Sequence, residues 1–355
     1  MDSFHDEGNI DFCTLGMFII DEIEFPPPKP PVKDILGGAG SYSALGARIF
    51  SPPPTSKAVG WIVDCGSDFP PELRHAIAQW DTGVFIRETP DRLTTRGWNG
   101  YGEHEHRAFR YMTPKKRLDH RDLMLTPLLW SKSFHLICSP TRCIELVESI
   151  LRSRGHPLDR KSDKRPLFIW EPVPDLCTPE ELTDCYKSLK YVDVVSPNHS
   201  ELGSFFGRKM DAGDHVDFRA IEDLCGKWLE NGVALDKQGG IVIRAGKDGC
   251  FVARQGFQKW MPAYHQSADK VIDPTGGGNG FLGGLAIGLV KGGSNPGIQN
   301  LYEAATWGSI SASFAIEQVG MPALSQDEGG ETWNGVRVED RLSDFKQRLE
   351  KYVQP

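Results

Sequence analysis

The residues best suited to chemistry lie together in Asp273-Pro274-Thr275-Gly276-Gly277-Gly278-Asn279-Gly280-Phe281. Three consecutive glycines at the start of a helix leave main-chain N–H groups uncovered by side chains. Those groups and the positive end of the helix dipole make a site for a phosphate or an oxyanion. A strand-like run, Asp269 to Ile272, leads into the stretch, and an apolar, glycine-studded run, Phe281 to Val290, leads out of it. Gly283, Gly284 and Gly288 each cost about 1 kcal/mol relative to alanine in a helix interior. Close approach of another backbone is the physical reason to keep them. A Gly-rich turn before a buried helix is the plainer alternative.

The elements around this stretch alternate between strand and helix. Asp11 to Ile23 reads as a strand interrupted at Gly16, with Asp21 closing its apolar run. Ligands collect at strand ends in open α/β sheets, so Asp21 is either a ligand contact or a solvated turn carboxylate. Phe25 to Pro31 holds five prolines and must be extended or turn-like. Leu36-Gly37-Gly38-Ala39-Gly40-Ser41-Tyr42-Ser43 predicts a turn and then a tightly packed helix. Ser43 stands where a dinucleotide fingerprint needs its last glycine, and no Walker sequence occurs. Lys57 to Val63 reads as a strand and Pro71 to Trp80 as a helix with proline in its first turn. Val84 to Ile86, Thr94 to Trp98 and Arg107 to Tyr111 form a small β excursion, with a turn at Asn99-Gly100-Tyr101-Gly102. His104 and His106 alternate with Glu103 and Glu105 and read as a charged loop tip, because a metal site needs further partners.

Strands are expected at Phe134 to Cys138, Leu167 to Trp170, Val192 to Val195, Gly240 to Ile243 and Gly249 to Ala253. Helices are expected at Thr141 to Arg152, Pro179 to Leu189, Ala220 to Asn231, Ile298 to Ile316 and Arg341 to Tyr352. Arg154 to Arg165 reads as an exposed loop, and Asp327 to Asp340 as a polar connector. Such alternation predicts an α/β fold, a mostly parallel sheet with helices on both faces.

Composition narrows the function. The chain has 355 residues, 39% hydrophobic and 25% charged, which suits a globular protein with a sizeable core. A formal net charge of −8 argues against a surface built to grip nucleic acid. The eight cysteines include no Cys-x-x-Cys pair and no zinc spacing, which fits reduced thiols. No apolar run is long enough to span a membrane, and Met1 to Asp11 is too acidic and polar for a secretory signal. A cytoplasmic location is the expectation.

The ordered motifs resemble those of the PfkB, or ribokinase-like, carbohydrate kinases, from Ile10 to Leu324. Asp273-Pro274-x-Gly276-Gly277-Gly278-x-x-Phe281 matches the C-terminal signature of that family, with Asn279 at the position of its catalytic aspartate. Gly37-Gly38 resembles the N-terminal signature, with Tyr42 at a usual asparagine. Pro197-Asn198-x-x-Glu201 is similar to the Asn-x-x-Glu element. Ala245-Gly246-x-x-Gly249 is similar to the nucleotide-site turn, with Arg244 at a usual threonine. The Gly-Gly-Gly-Asn variant further resembles the fungal maintenance-of-killer branch, whose recorded role concerns the stability of double-stranded RNA virus particles.

The resemblance implies a ribokinase-like three-layer fold over residues 1–325, with a small β lid from segments 22–36 and 84–112, and a polar segment and terminal helix over 326–355. It implies ATP with Mg²⁺, and a monovalent cation, as cofactors. Phosphoryl transfer to a sugar or nucleoside hydroxyl is the implied reaction, with protein partners or a homodimer as further expectations. Gly276, Gly277 and Gly278 would face charge on the transferred group. Asp21, Gly37, Gly38 and Tyr42 would hold substrate, although Tyr42 could equally fill the lid interface. Asn198 and Glu201 would act near Mg²⁺ through water, with no direct protein ligand. Thr275, Arg244, Gly246 and Gly249 would border the nucleotide, Arg244 being alternatively a surface residue at a strand end. The segment from Asn295 to Ser309 would border the adenine.

Asn279 is the chemical departure. An amide can orient a hydroxyl but cannot take its proton at neutral pH. Losing a general base typically costs about 10²–10⁴ in rate. The alternative function is therefore a catalytically inactive member that binds nucleotide or metabolite and acts through partners. From sequence alone, Asn279→Asp is expected to raise ATP-dependent turnover, measured by coupled ADP release over a sugar and nucleoside panel. An unchanged rate would count against an otherwise intact site.

Overall fold

A computed structural model describes residues 10–101, 107–155, 165–293 and 296–355. The first half of the chain runs β1 (Phe12–Thr14), β2 (Ile19–Glu24), β3 (Val32–Gly37), α1 (Gly38–Ile49), β4 (Val59–Gly66), α2 (Pro71–Gln79), β5 (Gly83–Thr89), β6 (Arg96–Tyr101), β7 (Arg107–Tyr111), α3 (His120–Leu123), β8 (Ser133–Cys138) and α4 (Pro140–Ser153). It continues through β9 (Leu167–Pro172), α5 (Leu182–Ser188), β10 (Val194–Val195), α6 (His199–Phe205), β11 (Asp211–Ala212), β12 (His215–Val216), α7 (Phe218–Asn231), β13 (Gly240–Arg244), β14 (Cys250–Arg254) and β15 (Phe257–Met261). The last elements are α8 (Gly277–Lys291), α9 (Leu301–Ala315), β16 (Leu324–Asp327), β17 (Gly330–Trp333) and α10 (Val338–Glu350).

Nine strands form the main sheet in the order β15-β14-β13-β10-β9-β8-β1-β4-β5. Pairing is parallel from β5 to β13, and β14 and β15 extend that edge antiparallel. The chain leaves β1 towards β4 and β5, then returns to its other side at β8. That reversal makes a crevice at the carboxyl ends of β1 and β8, where open sheets bind ligands.

Strand periodicity divides the core into two. In β9, Phe168 and Trp170 face one apolar cluster and Ile169 faces the other. In β13, Ile241 and Ile243 face the first cluster and Val242 the second. Successive side chains point to opposite faces, so each buried strand must be apolar on both. α4, α5, α6 and α7 cover the first face through Leu146, Cys185, Phe205 and Trp228, among others. α1, α2, α8, α9 and α10 cover the second through Leu45, Ile77, Leu285, Phe314 and Phe345. The three-layer α/β fold expected from sequence is therefore present.

α8 lies against α1 and α9 at backbone distance. A Cβ on Gly283 would run into the Ser43 carbonyl oxygen, and one on Gly288 would come 2.7 Å from Ala304 Cα. This is the close approach that the helix glycines required.

A separate four-stranded sheet, β3-β2-β6-β7, is formed from the segments where the lid is expected. Its boundary differs from expectation. Val84 to Ile86 belongs to β5, which pairs with β4 in the main sheet, so the second lid segment begins at β6. Asn99 and Gly100 lie within β6 and are not a turn. His104 and His106 lie outside the described residues. Arg96 ties lid to core by pairing with Asp68 at 2.7 Å and with Asp34 of β3 at 2.8 Å. Asp269 to Ile272 also departs from expectation. It carries a short 3-10 turn over Ala268–Lys270 instead of a strand. Residues 156–164 of the expected exposed loop lie outside the described residues. Arg165, at its end, has a largely covered side chain that pairs with Asp193 at 2.8 Å.

The expected polar connector near the C-terminus folds into the β16–β17 hairpin and packs on the core. Trp333 is fully buried. Glu331 accepts two hydrogen bonds from the fully buried Arg48 of α1, at 2.8 and 2.5 Å. Arg48 Nε donates to the Trp80 carbonyl at 2.5 Å, and its guanidinium lies over Trp333. No helix among the described residues is long and apolar enough to cross a membrane. Removing one partner of a buried pair leaves an uncompensated charge, at about 3 kcal/mol. Glu331→Gln should lower the urea midpoint by that equivalent, and an unmoved midpoint would show that the hairpin does not anchor the fold.

Candidate functional site

The site begins at the N-terminus of α8. Gly276 is its N-cap with φ +78°, a left-handed conformation that glycine adopts without strain, and no side chain caps the helix. A Cβ on Gly276 would run into the Tyr42 ring, and one on Gly278 would meet the Arg244 guanidinium. The glycines thus leave room for an aromatic ring below the turn and a cation beside it. Thr275 N–H donates to Asp273 Oδ1 at 2.9 Å, which shapes the turn.

Asn279 projects from the first turn onto the ends of the strands. Its Nδ2 donates to Glu171 Oε2 at 2.7 Å. Glu171 closes β9, on the face opposite Trp170. His135 lies on the same face of the adjacent β8, and its Nε2 is 3.1 Å from Glu171 Oε2. His135 Nδ1 is 3.0 Å from Thr14 Oγ1, and that oxygen accepts the Gly16 N–H at 2.9 Å. Thr14 and His135 are register partners on β1 and β8, so this chain crosses the crevice where the strand order reverses.

Arg244, at the end of β13, completes the compensation. Its guanidinium is 2.9 Å from Glu171 Oε1 and 3.5 Å from Glu201 Oε2, and it donates to the Ser196 carbonyl at 3.0 Å. Arg244 is therefore an interior cation and not a surface residue at a strand end. Asn198 and Glu201 form a capping box on α6. Asn198 N–H donates to Glu201 Oε2 at 2.7 Å, and Glu201 N–H donates to Asn198 Oδ1 at 2.8 Å. The Asn198 side-chain amide donates to Glu201 Oε1 at 2.8 Å. Beyond Arg244, Gly246 and Gly249 take φ +57° and +86° in the turn before β14, with open space over Gly246.

The lid contributes Asp21 from β2, which is 5% exposed. Its carboxylate lies against Gly37, where a Cβ would collide with it, and 3.0 Å from the Cβ position of Gly97. Gly38, with φ +84°, opens α1. Tyr42 is only 2% exposed, so its ring supports Gly276 from below. Asn295 lies outside the described residues.

Glu171, His135 and Thr14 were missed in the sequence. Glu171 carries the same signal that singled out Asp21, an acidic residue closing an apolar strand. His135 interrupts an apolar run, and only the neighbouring strands show what it meets.

Electrostatics separates the two glutamates. Burial acts to raise the Glu171 carboxyl, but Arg244, His135 and Asn279 outweigh it and hold it below its ordinary value. Burial pushes Glu201 up to about 7, Arg244 opposes this, and Glu171 adds to it. One guanidinium thus serves two carboxylates, and the one with the more distant contact keeps its proton more readily. The arrangement offers uncapped main-chain N–H groups, a cation beside them and a neutral amide that donates to a buried carboxylate.

Residues 171–327 match the family profile described as pfkB family carbohydrate kinase. The chain is 34% identical to an uncharacterized protein of Schizosaccharomyces pombe over 96% of its own length and 94% of that protein. It is 35% identical to Protein MAK32 of Saccharomyces cerevisiae over 93% of its length and 90% of that protein. Among solved structures, ribokinase from Giardia lamblia superposes with a TM-score of 0.70 at 16% identity, covering 96% of this chain and 99% of that one. A putative ribokinase II from E. coli in complex with ATP and Mg²⁺ superposes with a TM-score of 0.63 at 16% identity, with the same coverage.

Glu201 should leave a mark on stability. Its folded-state value of about 7 lies above the ordinary 4.5, so the folded protein holds that proton more tightly. The contribution is complete below about 4.5 and is lost as pH rises through about 7. Glu201→Gln should flatten that part of the stability–pH curve, measured by urea unfolding at several pH values. An unaltered slope would show that Glu201 does not titrate there.

Proposed function

The chain belongs to the pfkB family of carbohydrate kinases, and on that premise we propose that its site binds ATP·Mg²⁺ through the phosphate cradle while transferring phosphoryl groups poorly or not at all. The observation that carries this reading is Asn279, at the family's base position, with its amide donated to Glu171. A carboxylate accepts hydrogen bonds only, so Asn279 must turn its NH₂ towards Glu171 and its oxygen away. That oxygen can receive a substrate hydroxyl and hold it, but it cannot remove the proton.

The helix start fits an anion, being uncapped and flanked by Arg244. Bound ATP·Mg²⁺ would supply the phosphoryl group and the charge that this cradle meets. No group of three or more His, Cys, Asp or Glu among the described residues could hold a metal. Mg²⁺ would be held through nucleotide phosphates and water, because it keeps part of its hydration shell, with Asn198 and Glu201 nearby. Asp21 beside Gly37 would hold a hydroxyl-bearing small molecule under the lid. A second reading, a working sugar or nucleoside kinase, is favoured by that same Asp21 and by the intact cradle. It requires slow turnover driven by positioning and charge stabilisation alone. A role exerted through partners follows from the first reading.

Calorimetry and thermal shift with ATP·Mg²⁺ test the cradle. Gly277→Asp would place its Cβ 2.7 Å from Ile316 and disturb folding. Gly278→Ala meets a side-chain end and no backbone, but it displaces the Arg244 guanidinium from its partners, so it alters the cradle and the cation beside it together. Wild type should bind, and Gly278→Ala should weaken binding roughly tenfold. Equal affinities would place the nucleotide elsewhere, and rapid ADP release with a sugar or nucleoside would overturn the inactive reading.

A further inference from the structure

We infer that Glu171 and Asn279 are an exchanged carboxylate–amide pair, in which Glu171 is the positioning residue that keeps the helix residue neutral. This rests on the reading of Asn279 as the residue at the family's base position. The carboxylate has not left the site. It stands on β9, 2.7 Å from the amide, with His135 and Arg244 on its two oxygens. Glu171 is 5% exposed and His135 fully buried. Arg244, His135 and Asn279 favour its charged form, and Glu201, which shares Arg244, opposes it as its own carboxyl ionises through about 7. Arg244 lies closer to Glu171, so Glu171 keeps its charge and any neighbour at position 279 must donate to it.

The consequence is that Asn279→Asp alone does not install a base. The new carboxyl would touch an ionised one, and two adjoining carboxylates share a proton. Glu171 has the cation and the imidazole beside it, so the proton stays on the side chain at position 279. That acid donates its O–H to Glu171 Oε2, as the amide N–H does now. It is a near-isosteric replacement whose carboxyl the adjoining Glu171 holds above the ordinary carboxylate range, and while protonated it cannot accept the substrate proton.

Exchanging both residues reverses the pair. In Glu171→Gln/Asn279→Asp the amide lies on β9 and donates to an ionised carboxylate on α8. The remaining amide oxygen at position 171 still accepts from Arg244. His135 can adapt by taking its other tautomer, because Thr14 Oγ1 has a second lone pair for a donor at Nδ1. The charge near Arg244 is preserved in the double variant and lost in Glu171→Gln alone.

The test is a double-mutant cycle of thermal unfolding across pH, with ADP release measured on the same four proteins. Asn279→Asp should lower Tm progressively as pH rises above the ordinary carboxylate value, because the unfolded chain ionises there while the folded side chain beside Glu171 holds its proton, and the loss should shrink as pH falls towards about 4. Glu171→Gln should lower Tm across that pH range. The double variant should recover a large part of the summed losses, a coupling that independent sites do not show. Turnover should stay at the wild-type level in Asn279→Asp and rise on the order of 10²-fold in the double variant. Additive losses of Tm would overturn the pairing, as would turnover restored by Asn279→Asp alone. Coupling in Tm without turnover in the double variant would support the pair and count against phosphoryl-transfer competence, so the two ideas fail separately.

Discussion

An ionised carboxylate buried in a sheet must be surrounded by charge and donors, and Glu171 sets that demand at the centre of this fold. Its environment is assembled from β8, β13 and α8, with β1 supplying the hydroxyl behind the imidazole. Bringing such a group out of water costs several kcal/mol unless its partners are held in good geometry. Each partner is therefore constrained in turn. His135 is oriented by Thr14, Arg244 by the Ser196 carbonyl, and Asn279 by the helix that carries it. The strand reversal between β1 and β8 makes this possible, because it sets strands distant in sequence side by side at their carboxyl ends.

The helix that meets Glu171 is itself dictated by close packing. α8 carries glycine wherever α1 or α9 approaches its backbone, and its propensity loss is offset by burial of its leucines and isoleucine. The same packing leaves its first turn bare, with Tyr42 beneath Gly276 and Arg244 beside Gly278. The bare helix start and the neutral side chain at Asn279 thus arise from one geometry. A helix start held this firmly can keep its exposed N–H groups while the side chain beside them changes chemistry.

The C-terminal residues belong to the same body. Arg341 of α10 pairs with Glu317 at 2.9 Å, and His265 approaches the same carboxylate at 3.0 Å. Burial raises the Glu317 carboxyl, but His265, Asn334 and Arg341 together hold it at about 2. Ile316, the residue before it, accepts the Ile272 and Asp273 N–H groups that lead into the cradle. The terminal helix therefore braces the approach to the site, and the Arg48–Glu331 pair fastens the hairpin beside it to α1.

Much of the architecture was legible because it depends on local pattern. Strand and helix periodicities marked β4, β8, β9, β13, α4, α7 and α9 close to their observed positions, and the glycines of α8 announced both a cradle and a tight helix. Where local pattern is ambiguous, reading failed. Val84 to Ile86 looked like lid and joined the main sheet, because a short apolar strand does not state which sheet it enters. The β16–β17 hairpin looked like a polar connector, because Glu331 is partly covered and Thr332 buried only through partners elsewhere in the chain. Asn279 identified itself by type and spacing as an amide in place of a base. Its partner did not, since Glu171 lies 108 residues away. The sequence alone determined that the helix carries no proton acceptor at this position. The tertiary structure decided where the carboxylate stands, because only the register of β8 and β9 and the packing of α8 bring that buried charge against the amide.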